Sequence, residues 1–139
     1  MSRMLPLEKA SSDDGALYRS SRVLLLVHED KLYPGALIAS LSIPWGESKG
    51  DHELGGYHLV WTRDTVNSAT ELLAAGYYDV PMHALIYLAA SQLPDGGFHQ
   101  NFWVTGNPYW TGVQLDEVAF PILLAWRLHR AGALGNFDP

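Results

Sequence analysis

Val80-Pro81-Met82-His83-Ala84-Leu85-Ile86-Tyr87-Leu88-Ala89-Ala90-Ser91-Gln92 is the stretch on which the fold turns. Wound at 3.6 residues per turn, Val80, Met82, Leu85, Ile86, Leu88 and Ala89, with Leu93 just beyond, cover most of a helix's circumference. Pro81 falls in the first turn, where its missing N–H costs nothing. A helix apolar nearly all round is a buried one, so this segment demands neighbours on several flanks. The chain around it supplies helices. Residues 64–75 place Val66, Ala69, Leu72 and Leu73 at helical spacing, and Gly76 follows as a C-cap. Residues 118–131 are again almost wholly apolar through Trp126, with Pro121 setting a start close before it. Upstream, Asp13 or Asp14 can cap a helix over residues 16–29, whose apolar run is Val23 to Val27.

The connections are less regular. Residues 35–45 alternate, with Leu37, Ala39, Leu41 and Ile43 on one side and Pro44 closing the run, which predicts a short strand. A polar, glycine-rich loop follows over 46–56, and residues 57–61 are an extended approach to the next helix. Residues 93–114 show no helical period and carry Pro94 and Pro108 among several glycines. A structureless loop that long is uncommon in a compact domain and is usually functional. The sum is a mainly α chain of helical hairpins with a short β segment. Strands do not alternate with helices, which excludes a doubly wound α/β sheet. Residues 1–12 read as a loose tail and 13–139 as one domain.

Composition narrows the function. The formal charge is -6 over 139 residues, with no clustered Lys/Arg footprint for a phosphate backbone. Cysteine is absent, so neither disulfides nor thiolate metal sites are expected. No stretch reaches the length of a membrane span. The amino-terminal residues lack the apolar core of a signal peptide, which leaves the cytoplasm as the default location. His52-Glu53 with His58 does not have the His-Glu-x-x-His spacing of a helical zinc site, and no nucleotide loop or serine-nucleophile elbow is present. No metal and no cofactor are expected.

Two clusters carry chemistry. In Tyr57-His58-Leu59-Val60-Trp61-Thr62-Arg63-Asp64, an Arg fork can donate to vicinal hydroxyls and the next carboxylate can accept from them. The indole supplies a flat wall for the C–H face of a pyranose. The bland reading makes Asp64 a helix cap and Arg63 a surface charge. The second cluster runs from Asp95-Gly96-Gly97-Phe98-His99-Gln100-Asn101-Phe102-Trp103 to Pro108-Tyr109-Trp110-Thr111-Gly112-Val113-Gln114-Leu115-Asp116-Glu117. Aromatics interleaved with amides and carboxylates suit a polyhydroxylated ligand. They equally suit a loop packing its own rings, with Asp116 and Glu117 as helix cap and first-turn residues.

These motifs, with Ile43-Pro44-Trp45-Gly46 and Gly55-Gly56 before them, resemble the bacterial glucoamylase and glucodextranase branch of glycoside hydrolase family 15, in the same order and at comparable spacing. The resemblance implies a partial (α/α)6 toroid, whose loops gather at one end around a pocket for the non-reducing glucose. It implies that Arg63 and Asp64 hold hydroxyls of that glucose, that Trp61 lines the same subsite, that Tyr57 stands near the attacking water and that Trp110 closes the pocket. Asp116 and Glu117 match the family's roles less clearly, and neither is expected to be catalytic.

Inverting hydrolysis needs an acid and a base ~6.5–9.5 Å apart. By the same resemblance both are glutamates beyond Pro139, so no catalytic residue is expected here. Asp64 beside Arg63 should have a lowered pKa, wrong for a proton donor, and Glu47, Asp51 and Glu53 lie on a polar loop. The expected function is part of an exo-acting inverting glucoamylase with an α-glucan or maltooligosaccharide substrate. The alternative is a non-catalytic glucoamylase-like carbohydrate-binding or regulatory helical domain. Either needs the remainder of the barrel, or self-association, to cover its apolar helices.

Overall fold

The structure, a computed structural model, describes residues 7–41 and 57–135. After a 3-10 turn at Leu7–Lys9 come α1 (Ala16–Val27), β1 (Val60–Trp61), α2 (Thr62–Ala74), α3 (Asp79–Ser91), β2 (Asn101–Phe102), β3 (Pro108–Trp110) and α4 (Leu115–Arg130). Among the described residues the fold is mainly α, as the periodicity predicts. α2 packs on both α3 and α4, α3 on α4, and α1 on α2. Val66, Ala69 and Leu72 of α2 meet Ala84 and Leu88 of α3 and Leu124 and Leu128 of α4 in one core. These are the residues of each helix that fall on a single face, so burial of that face drives the assembly.

Local chemistry fixes the helix ends. Asp13 performs the capping at the start of α1: its carboxylate accepts from the N–H of Gly15 at 3.1 Å and of Leu17 at 2.7 Å. The formal cap is Gly15 itself, at φ 77°. α2 ends on Gly76, φ 89°, with Gly76 N–H donating to Leu73 O and Tyr77 N–H to Leu72 O, each at 3.0 Å. That is the left-handed glycine stop expected from the sequence. Arg22 of α1 lies over the rings of Tyr18 and Tyr77, 5.7 and 5.6 Å from their centroids, fastening α1 to the α2–α3 turn. From α4, Arg127 Nη1 donates to Thr70 Oγ1 at 2.7 Å.

Three expectations are corrected. No strand forms over the described part of 35–45: only an isolated bridge joins Glu29 to Leu37. Gly35, Ala36 and Leu37 are buried in succession while Leu41 is exposed, so burial does not alternate there. The segment is instead held piecewise, through Ala39 N–H to Leu59 O and Ser40 N–H to Tyr57 O. The loop over 93–114 is not structureless. β2 and β3 form an antiparallel hairpin within it, and β1 adds on β2's other side, in the order β1-β2-β3. Gly106, at φ 85°, makes the turn, with its N–H on Trp103 O and Trp103 N–H on Asn107 O, both 2.8 Å. Finally α4 starts at Leu115, six residues before Pro121, and carries the proline inside it. The glycine-rich loop and Ile43-Pro44-Trp45-Gly46 lie outside the described residues, as do Glu47, Asp51, His52 and Glu53.

Candidate functional site

The three-stranded sheet is what brings the two sequence clusters together. Val60 pairs with Phe102 and Trp61 with Asn101, so the stretch before α2 runs directly beside the long loop. Trp110 follows on the third strand, with its N–H on Asn101 Oδ1 at 2.8 Å, an amide side chain replacing a ladder bond where the register shifts.

The rings form a continuous line. Tyr57 stacks on Trp61, centroids 5.7 Å apart and planes at 29°. Trp110 meets Trp61 edge-on at 6.2 Å, Tyr109 lies 5.3 Å from Trp110, and Trp103 stands edge-on to Tyr109 at 5.3 Å. Trp61 is only 8% exposed, whereas Tyr57 and Trp110 keep 41% and 46%. Trp61 is therefore the backing of the line, and its neighbours offer the open faces. Such offset and edge contacts contribute about 0.5–1.5 kcal/mol each beyond area burial.

Beside the rings, the first turns of α2 and α4 face one another. Arg63 Nη1 donates to Asp116 Oδ2 and, at 3.2 Å, to Gln114 Oε1. The guanidinium raises its own affinity for protons through that bond and holds the Asp116 carboxyl below its usual range. Asp64 lies in the first turn of α2, whose cap position is Trp61, so it is not the helix cap. Its pKa is raised, because burial outweighs the pull of Arg63. The sequence predicts the opposite sign, since adjacency to a cation is legible in a sequence and desolvation is not.

The structure also assembles residues that motif reading left without a role. Asp116 and Gln114 are the protein partners of Arg63. Glu117, one residue on, is wholly buried with neither carboxylate oxygen on a donor among the described residues, and its pKa is pushed up to about 7 by burial, with Asp116 and Asp64 adding to the rise against Arg63. Thr62 Oγ1 and Asn101 Nδ2 are likewise buried without a partner among the described residues. The sequence signal was Gln114-Leu115-Asp116-Glu117, polar groups opening an apolar helix, which capping explains equally well. His99 sits edge-on to Phe102 at 6.3 Å, and His83 Nδ1 lies 3.1 Å from Glu29 Oε1. No group of three potential metal ligands occurs among the described residues. No helix there is long and apolar enough to cross a membrane.

Known proteins resemble this chain over most of its length. The model of the family described as Glycosyl hydrolases family 15 matches residues 14–89. That span includes Tyr57, Trp61, Arg63 and Asp64 and stops short of Trp110. A glucoamylase of Clostridium sp. (strain G0005) is 51% identical over 115 residues, 83% of this chain and 16% of that protein. The crystal structure of a bacterial glucoamylase complexed with acarbose superposes with a TM-score of 0.76 at 46% identity, covering 91% of this chain and 18% of its own. The helices thus correspond to a portion of an (α/α)6 toroid. A class II fumarate hydratase of Chlamydia pneumoniae is 29% identical over 126 residues, 87% of this chain and 26% of that protein. The chain therefore spans about a sixth of the glucoamylases and about a quarter of the hydratase.

Proposed function

Because this chain belongs to glycosyl hydrolases family 15, we propose that it forms one wall of the sugar pocket of an exo-acting, inverting glucosidase that releases glucose from the non-reducing end of α-glucans. Tyr57, Trp61, Arg63, Asp64 and Trp110 are its substrate-binding residues. The observation that carries this reading is the meeting of Arg63 with Gln114 and Asp116, 51 and 53 positions away, beside a line of rings. A guanidinium fixed by a carboxylate presents its fork in one orientation, which suits two adjacent hydroxyls, and charge-assisted bonds to them are about twice as strong as neutral ones. In this reading Asp64, next along the first turn of α2, accepts from the same hydroxyls. The half-exposed faces of Tyr57 and Trp110 suit the C–H face of a pyranose.

We assign the acid and base to other parts of the toroid. Glu117 is fully enclosed, so we do not assign it as the proton donor despite its raised pKa. Asp116 is tied to Arg63 and held ionised. The bacterial glucoamylase of known structure was crystallised in complex with acarbose, and a sugar analogue of that kind is the natural probe.

The test is a chimaera in which this chain replaces the matching segment of the Clostridium glucoamylase. It should release glucose from maltodextrin, and Arg63→Lys, which keeps the charge and loses the fork, should lower kcat/KM by about 10–100-fold. A chimaera that binds acarbose without turnover would point instead to a non-catalytic binding domain. Undiminished kcat/KM in the lysine variant would remove Arg63 from the pocket.

A further inference from the structure

Glu117 is a carboxylic acid enclosed in protein with no donor on either oxygen among the described residues. A carboxylate in that position is heavily penalised, and a neutral carboxyl much less so. The charged groups acting on it are Arg63 and Asp64 from α2 and Asp116 on its own helix. Three carboxylates therefore share one guanidinium. Asp116 has already claimed it through Nη1, together with Gln114. Of the three, Glu117 is the one wholly shut away from water, so it is the one that keeps its proton. When that proton leaves to solvent, the cation at hand to offset the new buried charge is Arg63.

We propose that Glu117 is a positioning residue for Arg63: protonated, it leaves the guanidinium on Asp116 and Gln114, and ionised, it draws the guanidinium inward and off that pair. The consequence for function rests on the carbohydrate reading above: sugar affinity falls when Glu117 ionises, because the fork that meets the hydroxyls has turned away. The pH at which this happens lies near the value of about 7 to which burial pushes this carboxyl.

The experiment follows the Glu117 carboxyl carbon and the Arg63 guanidinium nitrogens by NMR in the whole chain as pH is raised. The two signals should move together with one midpoint, in the neutral range. Glu117→Gln, which mimics the protonated side chain, should leave the Arg63 signal without that transition. Asp116→Asn releases the guanidinium and removes a repelling charge, so it should move the Glu117 midpoint toward acid. A Glu117 midpoint in the ordinary carboxylate range would overturn the proposal. So would an Arg63 signal that responds identically with Gln at 117. Acarbose is titrated alongside into the chimaera that completes the toroid: affinity should drop about tenfold across the transition with Glu at 117 and stay level in Glu117→Gln. If acarbose fails to bind at any pH while Arg63 still follows Glu117, the carbohydrate reading falls and the positioning role stands.

Discussion

Folding makes Glu117 a weaker acid, and that has a definite sign for stability. Its pKa rises from 4.5 to about 7, so the folded chain holds a proton that the unfolded chain releases. Stability should therefore decline as pH rises from about 4.5 to about 7 and level off above, by up to about 3 kcal/mol from this group. Urea unfolding should find Glu117→Gln equal to the parent near pH 4 and more stable at pH 8, and parallel pH profiles would refute the buried proton. Asp116 has the opposite sign. Its pKa is lowered by Arg63, so its contribution is present above the ordinary carboxylate pKa and lost as pH falls through the lowered one. Asp116→Asn should thus flatten the acid limb of the same curve. None of this balance is visible in the letters: Arg63 and Asp64 are neighbours in sequence, but the partner that settles Arg63 lies 53 positions on.

At the scale of elements, what was legible was what is periodic. The helices followed from apolar spacing, and Gly76 from its place after Leu73. The hairpin within 93–114 was not, because β2 and β3 are only two and three residues long and too short to alternate. Residues 35–41 misled in the other direction, alternating in sequence while the chain there is held by scattered bonds to 57–59 and by its turn against α3. That turn gives a contrast between two glycines. Gly35 has φ 89°, and a Cβ there would lie 2.1 Å from the backbone oxygen of His83. Gly132 has φ 73°, and a Cβ there would meet nothing within 4 Å. Gly132→Ala should cost about 1 kcal/mol, the left-handed strain alone, whereas Gly35→Ala should cost about 3 kcal/mol or more by adding a backbone clash. Equal urea midpoints for the two variants would contradict the packing of this turn on α3.

For the molecule as a whole, the apolar surface is the salient fact. Leu17, Val23 and Leu24 on α1, Ile86 on α3, and Leu115, Ile122 and Trp126 on α4 are all more than half exposed. Monomers rarely leave contiguous apolar patches larger than a few hundred Å² open to water. The all-round apolar character of α3, from which its burial on every side was expected, is thus only partly satisfied here. In a toroid each such face meets another helix. The chain on its own should sediment as associated species at micromolar concentration, and it should release no glucose from maltodextrin. A monodisperse monomer that binds no hydrophobic dye would show that these faces need no cover. The family portion of the fold was readable because several motifs stand in series; the meeting of the two clusters was readable only as residue types, since the sheet that joins them is non-local.

Calorimetric titration of acarbose into the chimaera, with and without Arg63→Ala, tests the pocket wall most directly. Removing a charge-assisted donor pair should weaken binding by about 10–100-fold, the equivalent of about 1.5–3 kcal/mol. Affinity unchanged by that substitution, in a chimaera that still binds, would mean that Arg63 and the rings beside it do not hold the sugar.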